Sequence, residues 1–262
     1  MMNDETYSKQ AARAAYGWGR ERNWDEALAL IAEAARAGEP DAERQLALVT
    51  QAPIADLLRP PSPERQSDIS RIGLARGFAP PGFSEWLIDR ARDRLEHAEA
   101  NDISGEAVRT ARTAAFGPQQ RDLVLAIMQQ RAGRMSGAKF ELHEPPNVIS
   151  YEPGQEYGLH VDYIDPSVAE FQAELQQLGQ RSATIVTYLN DDFDGAETFF
   201  PDAGVKFRGN TGDALIWSNL MPDGTPDTNS KHMALPPTRG RKWVLSQWIR
   251  TQPFPYSAEA LA

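Results

Sequence analysis

After Pro146 the sequence changes to short runs of β-forming residues that are separated by glycine, aspartate and proline. Many short strands joined by such turns are typical of a double-sheet jelly roll or a barrel. We therefore predict an α+β chain whose core is a double-stranded β-helix (jelly roll) over about residues 147–250. The predicted strands lie at residues 148–152, 157–163, 182–189, 197–200, 205–208, 214–218 and 243–250.

The region before this core has apolar residues at helical spacing. Ala27, Leu28 and Ile31 follow that spacing, Gly38 stands where a C-terminal cap is expected, and a second helix follows it. The small residues in this pattern resemble a Sel1-like repeat, over about one repeat and a fraction. We predict a Sel1-like helical segment at residues 1–50 that docks other proteins. The alternative is a pair of ordinary amphipathic helices that cover the neighbouring domain.

Residues 51–68 contain four prolines among scattered charges, and such a run predicts a proline-rich linker. A second domain is then predicted at residues 69–262. Its first part has helical patterns at about residues 82–98 and 119–135. A third helix is predicted from Asp165 to Gly179, because Asp-Pro is a common helix start. This helix follows the predicted strand at residues 157–163 and is expected to form a wall or lid over the residues of that strand.

Composition restricts the partners and the chemistry. The formal charge of -10 and the pI near 5.0 disfavour nucleic acid and anionic membranes, because phosphate groups attract cationic surfaces. No apolar run of spanning length and no signal-peptide pattern occur, so we predict a soluble, cytoplasmic protein. The chain has no cysteine and four histidines, so a metal site must use His, Asp or Glu.

His160 and Asp162 lie two positions apart in a predicted strand. Side chains at this spacing point to the same face, so both are candidates to bind one ion, with His232 as the third ligand. Two imidazoles and one carboxylate on one side of an ion leave its other positions open, as in non-haem Fe(II) oxygenases. The ligand types alone also suit Mn(II), Co(II), Ni(II) and Zn(II).

Lys242 lies directly before the last predicted strand, and the parity that follows holds if the strand starts at Lys242. Val244, Ser246 and Trp248 share its face by strand parity, and Thr184 and Tyr188 share a face of another strand. A buried lysine is costly without an anion, and a dicarboxylate ligand would remove that cost. Arg239 and Arg241 have the opposite parity and are predicted to be solvated. Trp243 is predicted to lie in the core.

These motifs occur in the order and spacing of a known family. The region from about Val108 to Arg250 resembles the catalytic domain of the prolyl 4-hydroxylase branch of the 2-oxoglutarate and Fe(II)-dependent dioxygenases. The matching sequences are Tyr151-Glu-Pro-Gly-Gln-Glu-Tyr157, His160-Val-Asp162, Arg181-Ser-Ala-Thr-Ile-Val-Thr-Tyr188-Leu-Asn190, Gly195-Ala-Glu-Thr198-Phe-Phe-Pro201, Gly212-Asp-Ala-Leu-Ile, and His232 with Lys242-Trp243 and Trp248-Ile249.

The resemblance implies a role for each matching position. His160, Asp162 and His232 would bind Fe(II). Lys242 would pair with the C5 carboxylate of 2-oxoglutarate, and O2 would be the second substrate, with ascorbate as a reductant. The remaining implied positions are Tyr188 and Thr198 beside that carboxylate, Tyr151 nearer the metal, and Tyr157, Trp248 and Arg109 around the substrate.

The substrate is the least constrained part of this interpretation. The family has a glycine pair where this chain has Gly195-Ala196, and its serine-rich substrate segment reads differently at residues 109–115. A protein or peptide side chain, with proline first, is the leading hypothesis, and the acidic composition favours a basic partner segment. The alternatives are a hydroxylase of a free amino acid or other small molecule, and a non-catalytic docking protein on an oxygenase scaffold.

Overall fold

The computed structural model describes residues 5–98 and 109–255. Val108, the first residue of the predicted family match, lies outside these ranges. None of the described helices has the length and apolar character needed to cross a bilayer. The helices are α1 Tyr7–Tyr16, α2 Trp24–Arg36, α3 Ala42–Val49, α4 Ile54–Leu57, α5 Phe83–Arg92, α6 Leu123–Ser136 and α7 Gln172–Leu178.

The strands alternate between two main sheets. Their bounds are β1 Glu64–Arg65, β2 Gly73–Ala75, β3 Glu96–His97, β4 Arg112–Ala115, β5 Asn147–Tyr151, β6 Tyr157–His160, β7 Arg181–Tyr188, β8 Asp194–Gly195, β9 Thr198–Phe200, β10 Val205–Phe207, β11 Ala214–Ser218, β12 His232–Ala234, β13 Pro237–Arg239 and β14 Lys242–Arg250. The major sheet has the order β1-β2-β11-β7-β14-β5-β4-β3, and the minor sheet has the order β10-β9-β12-β6. All the described pairs are antiparallel. The jelly-roll prediction is confirmed.

The major sheet separates two hydrophobic cores. Along β14, Trp243 and Leu245 pack in a core shared with the helices, whereas Val244 packs in a second core with Phe200 and other residues of the minor-sheet side. This alternation follows from the two-residue period of a strand. Trp243 is 6% exposed, which confirms its predicted core position. Side chains with the parity of Lys242 therefore face the minor sheet.

Polar caps and small residues define the N-terminal helices. Thr6 caps α1 and Asn23 caps α2, each by accepting a bond from a backbone N–H in the first turn. Gly38 follows α2 with a φ of 71°, as expected for a residue that ends a helix in the left-handed region. These helices share one core with α5 and α6. The Sel1-like resemblance itself stays a prediction.

Residues 51–68 do not form the extended linker that their prolines predict. They contain α4 and the edge strand β1, and Leu57 and Leu58 are each 5% exposed. Arg131 of α6 donates from Nη1 to the carbonyl oxygens of Leu57 and Arg59, at 2.6 Å each. The prolines lie between short elements, where their fixed φ and missing N–H break no ladder bond.

Two predicted helices of the catalytic region are shorter than their patterns. The first ends at Arg92 and is followed by β3, so His97 lies on an exposed edge strand. The second begins at Leu123 because Asp122 accepts a bond from the Leu125 N–H and caps the helix there.

His143 is fully buried, and that burial lowers its pKa to about 3, with further lowering by the nearby Arg121 and Arg22.

Gln45 of α3 generates a prediction for the packing of the N-terminal helices. Its Oε1 accepts a bond from the Leu123 N–H at 2.8 Å, although Gln45 is only 5% exposed. Gln45→Leu leaves this buried N–H at the start of α6 without its acceptor. We expect the free energy of unfolding to fall by about 1–3 kcal/mol, measured by urea denaturation.

The exposed Gln51 provides the control. Its amide donates to two backbone carbonyls at the surface, so Gln51→Leu should change the stability by less than about 0.5 kcal/mol. An equal effect of the two substitutions would contradict the assigned contribution of Gln45.

Candidate active site

His160 and His232 lie directly opposite each other on the paired strands β6 and β12. Asp162 follows two residues after His160, but β6 ends at His160 and Asp162 lies in a bend. The predicted strand 157–163 is therefore too long, and a turn of the backbone directs the carboxylate towards the two imidazoles. One potential ligand atom from each of the three residues lies within 4.8 Å of the other two.

The two imidazoles are oriented in the same way. His160 Nδ1 lies 2.7 Å from the Gly158 carbonyl oxygen, and His232 Nδ1 lies 3.0 Å from that of Ser230. A carbonyl accepts only, so each Nδ1 carries the proton and each Nε2 keeps a free lone pair. His160 Nε2 is 3.8 Å from Asp162 Oδ1, and His232 Nε2 is 3.6 Å from Oδ2. Three ligand atoms thus converge on one small volume.

Burial keeps this cluster ready to bind a cation. Burial, and then the neighbouring His232, lowers the pKa of His160 to about 3, so the imidazole is neutral. Burial by itself would raise the pKa of Asp162, but the two histidines and the hydroxyl of Thr184 together hold it below its usual value. The site therefore presents the neutral imidazole of His160, the imidazole of His232 and one carboxylate, a ligand set that suits a divalent metal ion.

The cluster borders a cavity between the two sheets. Nine of the ten predicted site residues border this cavity, and Tyr188 does not. The lining residues are Arg109, Ile149, Tyr151, Tyr157, His160, Asp162, Thr184, Val186, Thr198, Trp217, His232, Ala234, Lys242, Val244, Ser246 and Trp248.

Lys242 is buried in the same cavity, with 1% of its surface exposed. Its Nζ donates to the carbonyl oxygen of Ala196 at 2.8 Å. Burial lowers the pKa of Lys242 to about 7, although Glu197 opposes this shift. In the part of the chain that the structure describes, Lys242 has no ion pair with a carboxylate. The cavity thus contains a lysine whose charged form lacks a counter-ion.

Ala196 holds that carbonyl in an unusual conformation. The φ of Ala196 is 57°, in the left-handed region where glycine is favoured. The replacement of the family glycine therefore affects a strained turn between β8 and β9, and not simply the start of a strand. An L-residue in this region costs about 1–2 kcal/mol.

The tyrosines predicted to contact the cosubstrate are placed differently. Tyr151 is opposite Lys242 in the sheet and borders the cavity, and burial raises its pKa to about 12. The Tyr188 hydroxyl lies 2.7 Å from Thr198 Oγ1 and donates to the Phe207 carbonyl oxygen at 3.0 Å. Thr198 therefore borders the cavity, while Tyr188 supports it from behind.

Three predicted substrate residues also border the cavity. The Tyr157 ring stacks on His160 with centroids 3.5 Å apart, and the Arg109 guanidinium lies 5.0 Å from the Tyr157 centroid. Trp248 borders the same space, and the guanidinium of Arg181 lies 4.2 Å from the centroid of its ring. All three side chains are partly exposed, so the lining of the cavity is in part accessible to solvent.

Several residues of the site have no assignment in the sequence interpretation. Trp217 packs edge-on against His232, and Arg181 holds Trp248 while it forms two bonds with Glu144, at 2.7 and 3.0 Å. Strand parity predicts the shared face of Thr184 and Tyr188, but not which partner each contacts. The predicted lid helix is also different. A 3-10 turn at Ala169–Phe171 precedes α7, and neither borders the cavity.

Comparison with known proteins agrees with this geometry. Residues 146–250 match the family model described as the 2OG-Fe(II) oxygenase superfamily. Prolyl 4-hydroxylase 1 of Arabidopsis thaliana is 30% identical over 207 residues, which cover 72% of this chain and 71% of that protein. This chain belongs to the 2OG-Fe(II) oxygenase superfamily. The predicted resemblance to its prolyl 4-hydroxylase branch is confirmed.

Further relatives and solved structures are consistent with this membership. The "Probable prolyl 4-hydroxylase 7" of the same plant is 30% identical over 217 residues, covering 73% of this chain and 67% of that protein. A viral collagen prolyl hydroxylase from Paramecium bursaria Chlorella virus-1 has a TM-score of 0.54 at 23% identity, covering 68% and 94% of the two chains. A Trichoplax adhaerens prolyl hydroxylase, in complex with a peptide fragment of hypoxia inducible factor, has a TM-score of 0.52 at 14% identity and covers 68% and 83%. The two structures share the fold.

The oxygenase is thus an enzyme that uses Fe(II), 2-oxoglutarate and O2. Its residues fit these groups. The His-Asp-His cluster offers nitrogen and oxygen ligands on one side of an ion, and the buried Lys242 provides a cation for a carboxylate in the same cavity.

Lys242 generates a prediction about pH and stability. Its pKa falls from 10.5 when the chain is unfolded to about 7 when it is folded, so the unfolded state binds more protons between these values. The cost of burying the charge is complete below about pH 7 and disappears as the pH rises towards 10.5. Lys242→Met should therefore stabilise the ligand-free protein by about 2–4 kcal/mol near pH 6, and by much less at high pH.

Chemical denaturation of both proteins at several pH values measures this difference. Lys206 lies on the exposed face of β10, and Lys206→Met is the matched control that should show no such pH dependence. A Lys242→Met variant less stable than the wild type at low pH would show that Lys242 carries no buried-charge cost.

Proposed function

We propose that the oxygenase hydroxylates a prolyl side chain of a protein or peptide, with His160, Asp162 and His232 holding the iron. The observation that carries this proposal is that the ligand cluster and the buried Lys242 border one cavity. A dicarboxylate that bridges these two sites supplies the counter-ion that Lys242 lacks.

The polar residues of the cavity have distinct tasks in this proposal. Lys242 would bind the C5 carboxylate of 2-oxoglutarate, and Thr198, whose hydroxyl bonds with Tyr188, borders the same cavity. Tyr151 stays protonated because burial raises its pKa, so its hydroxyl is a hydrogen-bond donor nearer the metal. Bound iron, 2-oxoglutarate and O2 would supply the oxidising chemistry, in which one oxygen atom of O2 goes to the C–H bond and the other to succinate, with release of CO2.

The apolar walls contribute by excluding water. Trp217 and Phe200 pack against His232, and Tyr157 covers His160. These rings shield the ligand cluster and fix the imidazole planes. The chain itself needs to provide no general base, because its described residues serve to bind, orient and exclude solvent.

The partly exposed lining of the cavity supports a peptide substrate over a free amino acid, because a peptide extends beyond the residue that reacts. Arg109, Tyr157 and Trp248 are partly exposed there, and α7 does not cover it. The prolyl 4-hydroxylase names of the plant relatives and the peptide complex of the Trichoplax structure support the same substrate class. The formal charge of -10 supports a partner with a basic segment. An intact ligand cluster and Lys242 argue against a docking protein without activity.

The proposed function predicts succinate formation that depends on the histidines of the cluster. Purified protein given Fe(II), ascorbate, 2-oxoglutarate and a proline-rich basic peptide should form succinate and add the mass of one oxygen atom to the peptide. His160→Ala should reduce both products more than about 100-fold, because the metal loses one of its three ligands. Mass spectrometry measures the two products.

His97→Ala is the matched control, since His97 lies on an exposed edge strand and should leave the turnover unchanged. Equal succinate formation by His160→Ala and the wild type would contradict the ligand assignment. Oxygen transfer to free proline but not to the peptide would favour the small-molecule alternative.

A further inference from the structure

A chain of hydrogen bonds runs from Asn219 through Thr184 to the carboxylate of Asp162. Asn219 Nδ2 donates to Thr184 Oγ1 at 2.9 Å, and Thr184 Oγ1 donates to Asp162 Oδ2 at 2.7 Å. Asn219 is 0% exposed, Thr184 1% and Asp162 5%. The three side chains thus form a fully buried polar chain that ends on the carboxylate of the ligand cluster.

The direction of these bonds follows from the number of protons. A threonine hydroxyl has one proton, and the carboxylate can only accept. Because the amide of Asn219 donates to Thr184 Oγ1, the hydroxyl proton remains available for Asp162, and the donated bond polarises it. Occupying one oxygen of the carboxylate in this way fixes the orientation of the whole group relative to His160 and His232.

Asn219 is itself held by the backbone. Its N–H donates to the Ser182 carbonyl oxygen at 3.0 Å, and its carbonyl oxygen accepts from the Asp227 N–H at 2.9 Å. Asn219 follows directly after β11, and the segment that begins at Asp227 leads to His232 through a 3-10 turn. The amide that starts the chain of hydrogen bonds is therefore anchored between the major sheet and the loop that carries the last ligand.

We propose that Thr184 and Asn219 are positioning residues for the metal site, with Asn219 acting through Thr184. This inference rests on the proposed role of His160, Asp162 and His232 as the ligands. A carboxylate without this support turns more freely, and orienting it on binding then reduces the affinity for the metal. Their effect should therefore be visible in metal binding itself, apart from turnover.

Thr184→Val tests the hydroxyl with little change of shape. We expect the affinity of the protein for Co(II), used as the metal alone, to fall about 10- to 100-fold. Thr184→Ser keeps a hydroxyl and should restore the affinity to within about threefold of the wild type. Titration calorimetry gives the affinity, and the visible absorption of bound Co(II) should change in Thr184→Val and return in Thr184→Ser.

Thr187→Val provides a matched control on the same strand. Thr187 is also 1% exposed, but it pairs with Ala214 and Leu245 of the helix-side core and does not border the cavity. It should leave Co(II) binding unchanged. An equal loss in both variants would show a general effect of removing a buried hydroxyl, and would overturn the proposal.

A double-mutant cycle tests whether Asn219 acts through Thr184. Asn219→Ala should weaken Co(II) binding about three- to tenfold in the wild type and should add no further loss to Thr184→Val. The same loss in both backgrounds would overturn this order of action. If Thr184→Val does not fold, Asn219→Ala and Thr184→Ser decide, and unchanged binding in Asn219→Ala overturns the proposal.

The outcomes also separate this inference from the proposed function. Wild-type protein that binds no Co(II) would contradict the ligand cluster. Wild-type protein that binds Co(II) as tightly as Thr184→Val would contradict only the positioning role.

Discussion

The antiparallel pairing of β14 with both β5 and β7 is the constraint on which the site depends. It fixes the register, so every second residue of β14 faces the minor sheet and the others face the helices. A shift of one residue would place Lys242 in the helix-side core and Trp243 in the cavity. The large apolar side chains of the helix-side core, such as Trp243 and Leu245, oppose such a shift.

A second consequence of this register is the burial of charge. Lys242 is kept in the cavity with a carbonyl oxygen as its hydrogen-bond partner and with the rings of Tyr151 and Tyr188 near its Nζ. The fold therefore carries the cost of a buried cation until a ligand binds. The buried carboxylate of Glu144, in contrast, is neutralised within the chain. Glu144 is bound by Arg181 and Arg250, and Arg250 also pairs with Glu174. Because burial alone would raise the pKa of Glu144, the two guanidinium groups are needed to hold it below its usual value. Lys242, unlike Glu144, thus leaves a buried charge that a ligand can neutralise.

The sequence predicts those parts of the site that follow from strand parity and spacing. Lys242 and Trp248 face one cavity, and Thr184 faces it from β7, because a strand has a period of two residues regardless of its surroundings. Tyr188 shares the parity of Thr184, yet its ring turns to Thr198 and Phe207. A Cβ atom on Gly209 would lie 2.4 Å from Tyr188 Cδ2, so a distant glycine makes room for this ring. Such a contact cannot be seen in a local pattern.

The remaining errors share a physical cause, which is that local patterns ignore tertiary partners. The prolines of residues 51–68 predict a linker, but the segment packs on the protein. The burial of Leu57 and Leu58 removes their apolar surface from water and stabilises this packing. The helix after Asp165 is predicted as a lid from its position in the sequence. In the structure its C-terminal end is tied to β14, where Arg250 donates to the Gly179 carbonyl oxygen at 3.0 Å and pairs with Glu174. The helix follows His160 and Asp162 in the chain, but its Glu174 pairs with Arg250 and none of its residues borders the cavity.

A chain of buried hydrogen bonds connects the N-terminal helices with the site. Tyr16 of α1 donates to Gln129 of α6 at 3.1 Å, and Gln129 donates to Gln247 at 2.8 Å. Gln247 in turn donates to the carbonyl oxygens of Glu144 and Trp248, at 2.8 and 2.9 Å. Because these groups are buried, breaking any one of them leaves a polar atom without a partner. The position of Trp248 at the mouth of the cavity therefore depends on helices that, in sequence, look like a separate docking module.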